Sequence, residues 1–125
     1  MSDVPTVLIV DDSRLSRMMI RAFITQVHPE WAIIEASNGQ EALEKTATQA
    51  VDLMTIDLNM PGMDGLTLAT QLRHTHPSAS ITLVTANIQE SVRHRAAAAG
   101  MGFVAKPVSA DSILACLSAL ENSRG

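Results

Sequence analysis

Five short runs, "TVLIV", "AIIEA", "DLMTI", "ITLVT" and "FVA", recur along this chain, and the segments between them follow a different period. The runs are apolar and often β-branched, and each is bounded by Asp, Asn, Gly, Pro or Ser, which predicts strands. Leu15, Met18, Met19, Ala22 and Phe23 fall at i, i+3, i+4, i+7 and i+8, the spacing of an apolar helix face, and Ala110, Ile113, Leu114, Leu117 and Leu120 repeat it near the end. "NGQEALEKTATQA", "DGLTLATQLRHTH" and "QESVRHRAAAAG" predict shorter helices, the first two opened by turn residues and the last closed by Gly100. The strand runs are too continuously apolar for a half-exposed antiparallel sheet. Strand and helix alternating in this way predict a parallel sheet covered on both faces, joined by right-handed crossovers.

A chain of 125 residues suits one such unit, so residues 1–125 are expected to form a single domain. With 46% hydrophobic and 18% charged residues, no stretch is poor enough in apolar residues to predict disorder. There is no internal repeat, low-complexity tract or linker, and "MSDVP" and "NSRG" read as frayed ends. Apolar segments such as "AAAAGMGFVA" fall well short of the roughly 20 residues that span a bilayer. The start lacks the basic region and cleavage site of a secretory signal, which makes the cytoplasm the expected location. Cys116 agrees: it has no partner for an internal disulfide and falls in the apolar pattern of the last helix, as a core residue would. A net charge of −4 and a pI of about 5.4 give no electrostatic footing for a nucleic acid, and Phe23, Trp31 and Phe103 are too few aromatics for base stacking.

The most informative stretch is "VDLMTIDLNMPGMDG", an apolar run that ends on Asp57 and passes into a Pro/Gly-rich loop. In open parallel sheets, function collects at the carboxyl ends of the strands. There the first strand runs into Asp11 and Asp12, the third ends in Asp57, the fourth ends in Thr85, and Lys106 and Pro107 follow the fifth. Each has an ordinary reading. Asp12 or Ser13 suits the N-cap of the first helix, and Asp64 suits that of the third better than Asp57 does. A strand-ending Thr is usually a β-former, a lone Lys is usually solvated, and an X-Pro bond is usually trans. Three carboxylates at one edge are another matter, because two charges about 4 Å apart cost roughly 4 kcal/mol at an effective dielectric near 20. Such a cluster raises a pKa or recruits a cation. Oxygen-only ligands favour Mg²⁺ over zinc. His28, His74, His76 and His94 lie on helices or helix ends away from this edge and read as surface residues.

Taken in order, "VLIVDDS", "DLNMPGMDG", "LVTA" and "FVAKPV" resemble the receiver domain of two-component response regulators over essentially the whole chain. The resemblance implies a flavodoxin-like (βα)5 three-layer α/β sandwich with a five-stranded parallel sheet of order 2-1-3-4-5. It implies a phosphoacceptor protein rather than an enzyme: Asp57 takes a phosphoryl group from the phosphohistidine of a histidine kinase or phosphotransfer protein, as an acyl phosphate. By the same resemblance Asp12, Asp57 and the backbone carbonyl of Asn59 hold Mg²⁺, and Asp11 acts through a bound water. Lys106 and Thr85 contact phosphoryl oxygens, the Lys106-Pro107 bond is cis, and Asn59 and Asn87 tune hydrolysis.

The resemblance also implies a switch. Thr85 is drawn toward the phosphorylated acceptor, and Phe103, three residues before the lysine, fills the vacated space. Many members carry Tyr there, so Phe103 lacks a hydroxyl for partner contacts. Few residues follow the last helix, so no output domain is expected and the signal passes to another molecule. Its expected surface is the fourth helix, fifth strand and fifth helix, including Ile88, Val92, Arg93, Arg95, Phe103 and Val104. "SVRHR" on that surface reads either as a solvated helix face or as a basic docking patch. Homodimerisation is left open.

Two other classes fit part of the pattern. A Mg²⁺-dependent phosphatase with an aspartyl nucleophile resembles a D-x-D triplet after the first strand. Here the triplet is Asp57-Leu58-Asn59, on the third strand, with an amide where the second acid belongs. A phosphorylation-independent interaction module would have no use for the acidic pair, the acceptor, the threonine and the lysine together.

Overall fold

The computed structural model describes residues 4–86 and 89–124, with the backbone alone from residue 119 onward. Its strands are β1 (Thr6–Val10), β2 (Ala32–Ala36), β3 (Leu53–Asp57), β4 (Ser80–Thr85) and β5 (Gly102–Ala105). They alternate with α1 (Arg14–Val27), α2 (Gly39–Thr46), α3 (Gly65–Thr75), α4 (Glu90–Ala98) and α5 (Ala110–Arg124). All strand pairings are parallel, in the order β2-β1-β3-β4-β5, so this is the flavodoxin-like sandwich. Alternation along the strands sends Leu8, Val10, Met54, Ile56, Ile81 and Leu83 to the layer formed by α2, α3 and α4. Val7, Ile9, Leu53 and Val84 face Ile20 and Ile24 of α1 and Ile113, Cys116 and Leu117 of α5. β3, at the centre, is buried from end to end.

Local chemistry explains where the elements begin and stop. Ser13, Asn38 and Asp64 cap α1, α2 and α3, each side chain accepting the backbone N–H three residues on. The cap of α1 therefore falls to Ser13, leaving the Asp12 side chain outside the helix. After α4, Gly100 takes φ +74, the left-handed conformation that closes a helix at low cost to glycine. α1 and α3 end alike: His28 and His76 cap them, each followed by proline, and their carbonyls accept from Trp31 N–H and Ala79 N–H. Proline cannot continue the helix, so the chain turns there and enters the next strand.

Two expectations need correction. The apolar face expected of α1 meets the core only in part: Leu15 is 66% and Met18 55% exposed and Ala22 is exposed, whereas Met19 and Phe23 of that face pack beside the buried Ile20 and Ile24. The stripe is rotated because α1 is wedged between β1 and α5. His74 and His94 are exposed as expected, but His28 and His76 are half-buried. His28 stacks on Trp31 with ring centroids 3.9 Å apart, and His76 Nε2 meets the Gln49 carbonyl at 3.1 Å. Cys116 is in the core, where burial pushes its thiol pKa up. The 1–3 and 125 ends, Asn87 and Ile88 lie outside the described residues, as does the Leu120 side chain. Among the described residues no helix is long and apolar enough to cross a membrane.

Gly65, the first residue of α3, lies directly against the end of β3. A Cβ there would come 2.2 Å from the Asp57 carbonyl oxygen and 2.7 Å from Leu58 Cα, both backbone atoms that cannot step aside. Gly65→Ala is therefore expected to destabilise the fold by about 3 kcal/mol. Urea unfolding checks this through a lower midpoint at unchanged slope.

Candidate functional site

Register assembles the acidic cluster. In the β1·β3 pairing Val10 stands opposite Ile56, so the next residues, Asp11 and Asp57, emerge side by side at the carboxyl edge. Asp57 is also opposite Val84 of β4, and Thr85 opposite Ala105 of β5, which brings the fourth and fifth strand ends to the same edge. The ladder continues past the last pair: Leu58 N–H donates to the Val84 carbonyl at 2.8 Å, and Lys106 N–H to the Thr85 carbonyl at 2.8 Å. The Lys106-Pro107 peptide is cis.

Asp11, Asp12 and Asp57 each offer a carboxylate oxygen, and these oxygens lie within 4.8 Å of one another. Asp11 and Asp57 are almost wholly buried, at 1% and 3% exposure, while Asp12 is exposed at the mouth. Lys106 Nζ lies 3.0 Å from Asp11 Oδ2 and 3.5 Å from Asp57 Oδ2. Asp11 Oδ1 accepts from Ser13 N–H at 2.9 Å, whereas its Oδ2 makes no hydrogen bond of good geometry. One ammonium shared between the two buried carboxylates, with a third acid at the mouth, leaves the cluster with more acids than bases.

The charge excess shows in the acid-base behaviour. Burial, followed by the Asp11 charge, pushes the Asp57 carboxyl up to about 7. Lys106 pulls the other way, the Asp12 carboxyl adds to the rise, and Asn59 N–H, donating to Asp57 Oδ1 at 3.3 Å, opposes it. Lys106 is itself held above its ordinary range: burial works against its charge, but Asp11 and then Asp57 outweigh it.

The expected site residues fall into two groups. Asp11, Asp12, Asp57 and Lys106 converge on one pocket, with Thr85, fully buried, at its edge. Phe103 is half-buried on β5 and packs against the core cluster, with the Arg93 guanidinium 5.9 Å from its ring centroid. Sequence reasoning gave Asn59 a backbone role at the metal and a part in tuning hydrolysis but no contact with Thr85, whereas its side-chain Nδ2 donates to Thr85 Oγ1 at 3.0 Å. No periodicity marks that contact, because it joins residues 26 apart across two strand ends.

The donor set fits a hard divalent cation. The candidate ligand atoms are all oxygens and two of the acids are buried, which suits Mg²⁺ better than a softer metal.

Comparison with known proteins points to one family. Residues 7–118 match the sequence profile described as the response regulator receiver domain. The chemotaxis protein CheY of Bacillus subtilis is 36% identical over 113 residues, covering 90% of this chain and 93% of that protein. Among solved structures, chemotaxis protein CheY4 of Vibrio cholerae superposes with a TM-score of 0.83 at 25% identity, covering 94% of this chain and 98% of the other. A response regulator protein from Burkholderia pseudomallei, crystallised with a phosphorylated aspartic acid, calcium ion and citrate, gives 0.81 at 25% identity, covering 97% and 73%.

A raised Asp57 pKa has a definite sign in stability. Folded protein holds the Asp57 proton up to about pH 7, while the unfolded chain releases it near 3.8, so the folded state binds more protons between those values. In EDTA the unfolding temperature should therefore fall as pH rises from about 4 to about 7 through this group. Asp57→Asn should lose most of that slope in a pH series of thermal melts.

Proposed function

We propose, because the chain belongs to the response regulator receiver domain family, that it is a cytoplasmic phosphorylatable signalling domain that accepts a phosphoryl group on Asp57 and thereby changes a partner-binding surface. The observation that carries this reading is a nucleophilic carboxylate at the end of a wholly buried strand, flanked by two further acids and one ammonium. The aspartyl phosphorylation recorded in the Burkholderia pseudomallei relative supports it.

In the proposed reaction an Asp57 carboxylate oxygen attacks the phosphorus of a phosphohistidine. The new O–P bond forms in line with the breaking N–P bond, and the departing imidazole nitrogen takes up a proton. The acidic cluster, Asp11, Asp12 and Asp57 with the Asn59 carbonyl, would hold Mg²⁺, which offsets the charge of the phosphoryl oxygens when bound. Lys106, already aimed between Asp11 and Asp57, is positioned to follow the incoming negative charge. Thr85 would exchange its Asn59 contact for a phosphoryl oxygen, drawing its loop inward and making room for Phe103. The chain is thus a reagent that reacts once per cycle.

Two surfaces follow from this reading. The donor has to approach over Asp57, and beside Lys106 a mainly apolar cleft of about 290 Å³ is lined by Leu15, Ser16, Met19, Ala86, Pro107 and Val108. Leu15 in that lining is exposed, and we assign the approach to the phosphohistidine-bearing partner. The recipient of the signal is assigned to the face of α4, β5 and α5, expected to include Val92, Arg93, Arg95, Phe103 and Val104, of which Arg93 lies over the ring of the switch residue Phe103. Arg93 and His94 of α4 are exposed, as is Arg95, which lines a cleft against α3, and this basic helix surface supports a partner with acidic residues.

Incubation with Mg²⁺ and acetyl phosphate should add one phosphoryl group to the intact mass, and neither Asp57→Asn nor EDTA-treated protein should gain it. Lys106→Met should be labelled at least tenfold more slowly, the scale set by removing one charge-stabilising donor. Continuous hydrolysis of phosphate esters without a labile adduct would overturn the reading in favour of a phosphatase.

A further inference from the structure

Arg17, one turn into α1, does not pair simply with a surface acid. Its Nη1 donates to the backbone carbonyl of Asp11 at 2.6 Å, and its Nε donates to Glu35 Oε1 at 3.2 Å. The side chain is only 16% exposed. Glu35 is fixed in turn: Arg21 Nη1 donates to its Oε2 at 2.8 Å, and Lys45 Nζ donates to its carbonyl at 2.7 Å. A guanidinium braced by β2 therefore reaches under the end of β1 and holds one particular peptide group.

That peptide joins Asp11 to Asp12. On one side Asp11 N–H donates to the Ala36 carbonyl at 3.1 Å, the last rung shared with β2. Beyond it the chain leaves the sheet, and a buried carbonyl there needs a donor from elsewhere. Arg17 supplies it. The Ala36 bond holds the Val10-Asp11 peptide and the Arg17 bond the Asp11-Asp12 peptide, so the backbone on both sides of Asp11 is tethered, and with it the direction in which the Asp12 side chain leaves the backbone. Asp12 is exposed and lies outside the helix cap, so its place in the cluster depends on that backbone direction.

We propose that Arg17 is a positioning residue of the acidic pocket, clamping the Asp11-Asp12 peptide so that all three carboxylates present themselves to one cation. Glu35 holds the clamp and offsets its charge. This rests on the reading that the pocket takes a divalent metal. Charge alone makes the opposite prediction: removing a cation near a cation site should tighten metal binding. Loss of a clamp should weaken it, commonly by tenfold or more for groups that orient metal ligands.

Calorimetric titration of the full chain with Mg²⁺ at pH 8, beside thermal melts, separates these outcomes. Folded Arg17→Met is expected to bind Mg²⁺ about tenfold more weakly. Arg17→Lys keeps the charge but cannot bridge carbonyl and carboxylate with a planar fork, so it should also bind more weakly than wild type, though better than Arg17→Met. Unchanged or tighter binding in the folded methionine variant would overturn the clamp, and if that variant fails to fold, unchanged binding by Arg17→Lys does so. A lower melting temperature at wild-type affinity would mark Arg17 as merely structural. Absence of Mg²⁺ binding by the wild-type chain at millimolar concentration would instead overturn the metal reading itself.

Discussion

Like-charge repulsion in a place where water cannot relieve it governs this molecule. The parallel register of β1 and β3 sets Asp11 beside Asp57, and both are buried. At the separations present, each unshielded pair costs several kcal/mol at a protein-like dielectric, roughly as much as a large fraction of a domain's net stability. The surroundings limit this cost without abolishing it. Lys106 spans two of the carboxylates, Ser13 N–H and Asn59 N–H each donate to one, and Asp57 retains its proton to an unusually high pH. A site left short of positive charge in this way has a standing affinity for a cation and for a group that brings one.

Rigidity is what makes that imbalance useful. β3 is sealed between two apolar layers, so Asp57 cannot retreat, and Gly65 lets α3 approach so closely that the carbonyl of Asp57 is pinned from behind. Strong electrostatic interactions at fixed geometry are a source of catalysis because little reorganisation remains when charge arrives. Thr85, by contrast, uses its hydroxyl oxygen as an acceptor toward the Asn59 amide, a neutral contact weaker than a charge-assisted one. The edge thus combines a carboxylate fixed by its strand with a threonine held by a neutral contact.

The periphery follows a similar economy. α1 turns Ile20 and Ile24 inward and leaves Leu15 and Met18 in solvent, Leu15 lining the cleft beside Lys106, which costs some apolar burial. Its basic residues are used unequally. Arg17 and Arg21 both meet Glu35, yet Arg17 alone continues to the Asp11 carbonyl. On the other side of the sheet α4 offers Arg93, His94 and Arg95 to solvent, and Arg93 shields one face of Phe103.

Much of this was legible before any coordinates. The period-two runs, the helical spacing, Asp64 as a cap and Gly100 as a helix stop are local properties, decided within a turn or a strand by backbone sterics and side-chain alternation. The chemistry of the carboxyl edge was legible too, since a parallel sheet delivers its strand ends to one side; strand order came only from the family resemblance. Three features lay beyond such reading: the face α1 turns inward, the Asn59 bond to Thr85, and the Arg17 contact with Asp11. Each depends on the distance and angle between segments remote in sequence, and these are set when the layers pack against one another. Periodicity along a chain says which residues share a face, but the packing of neighbouring elements chooses the face that is buried and the contacts its side chains make.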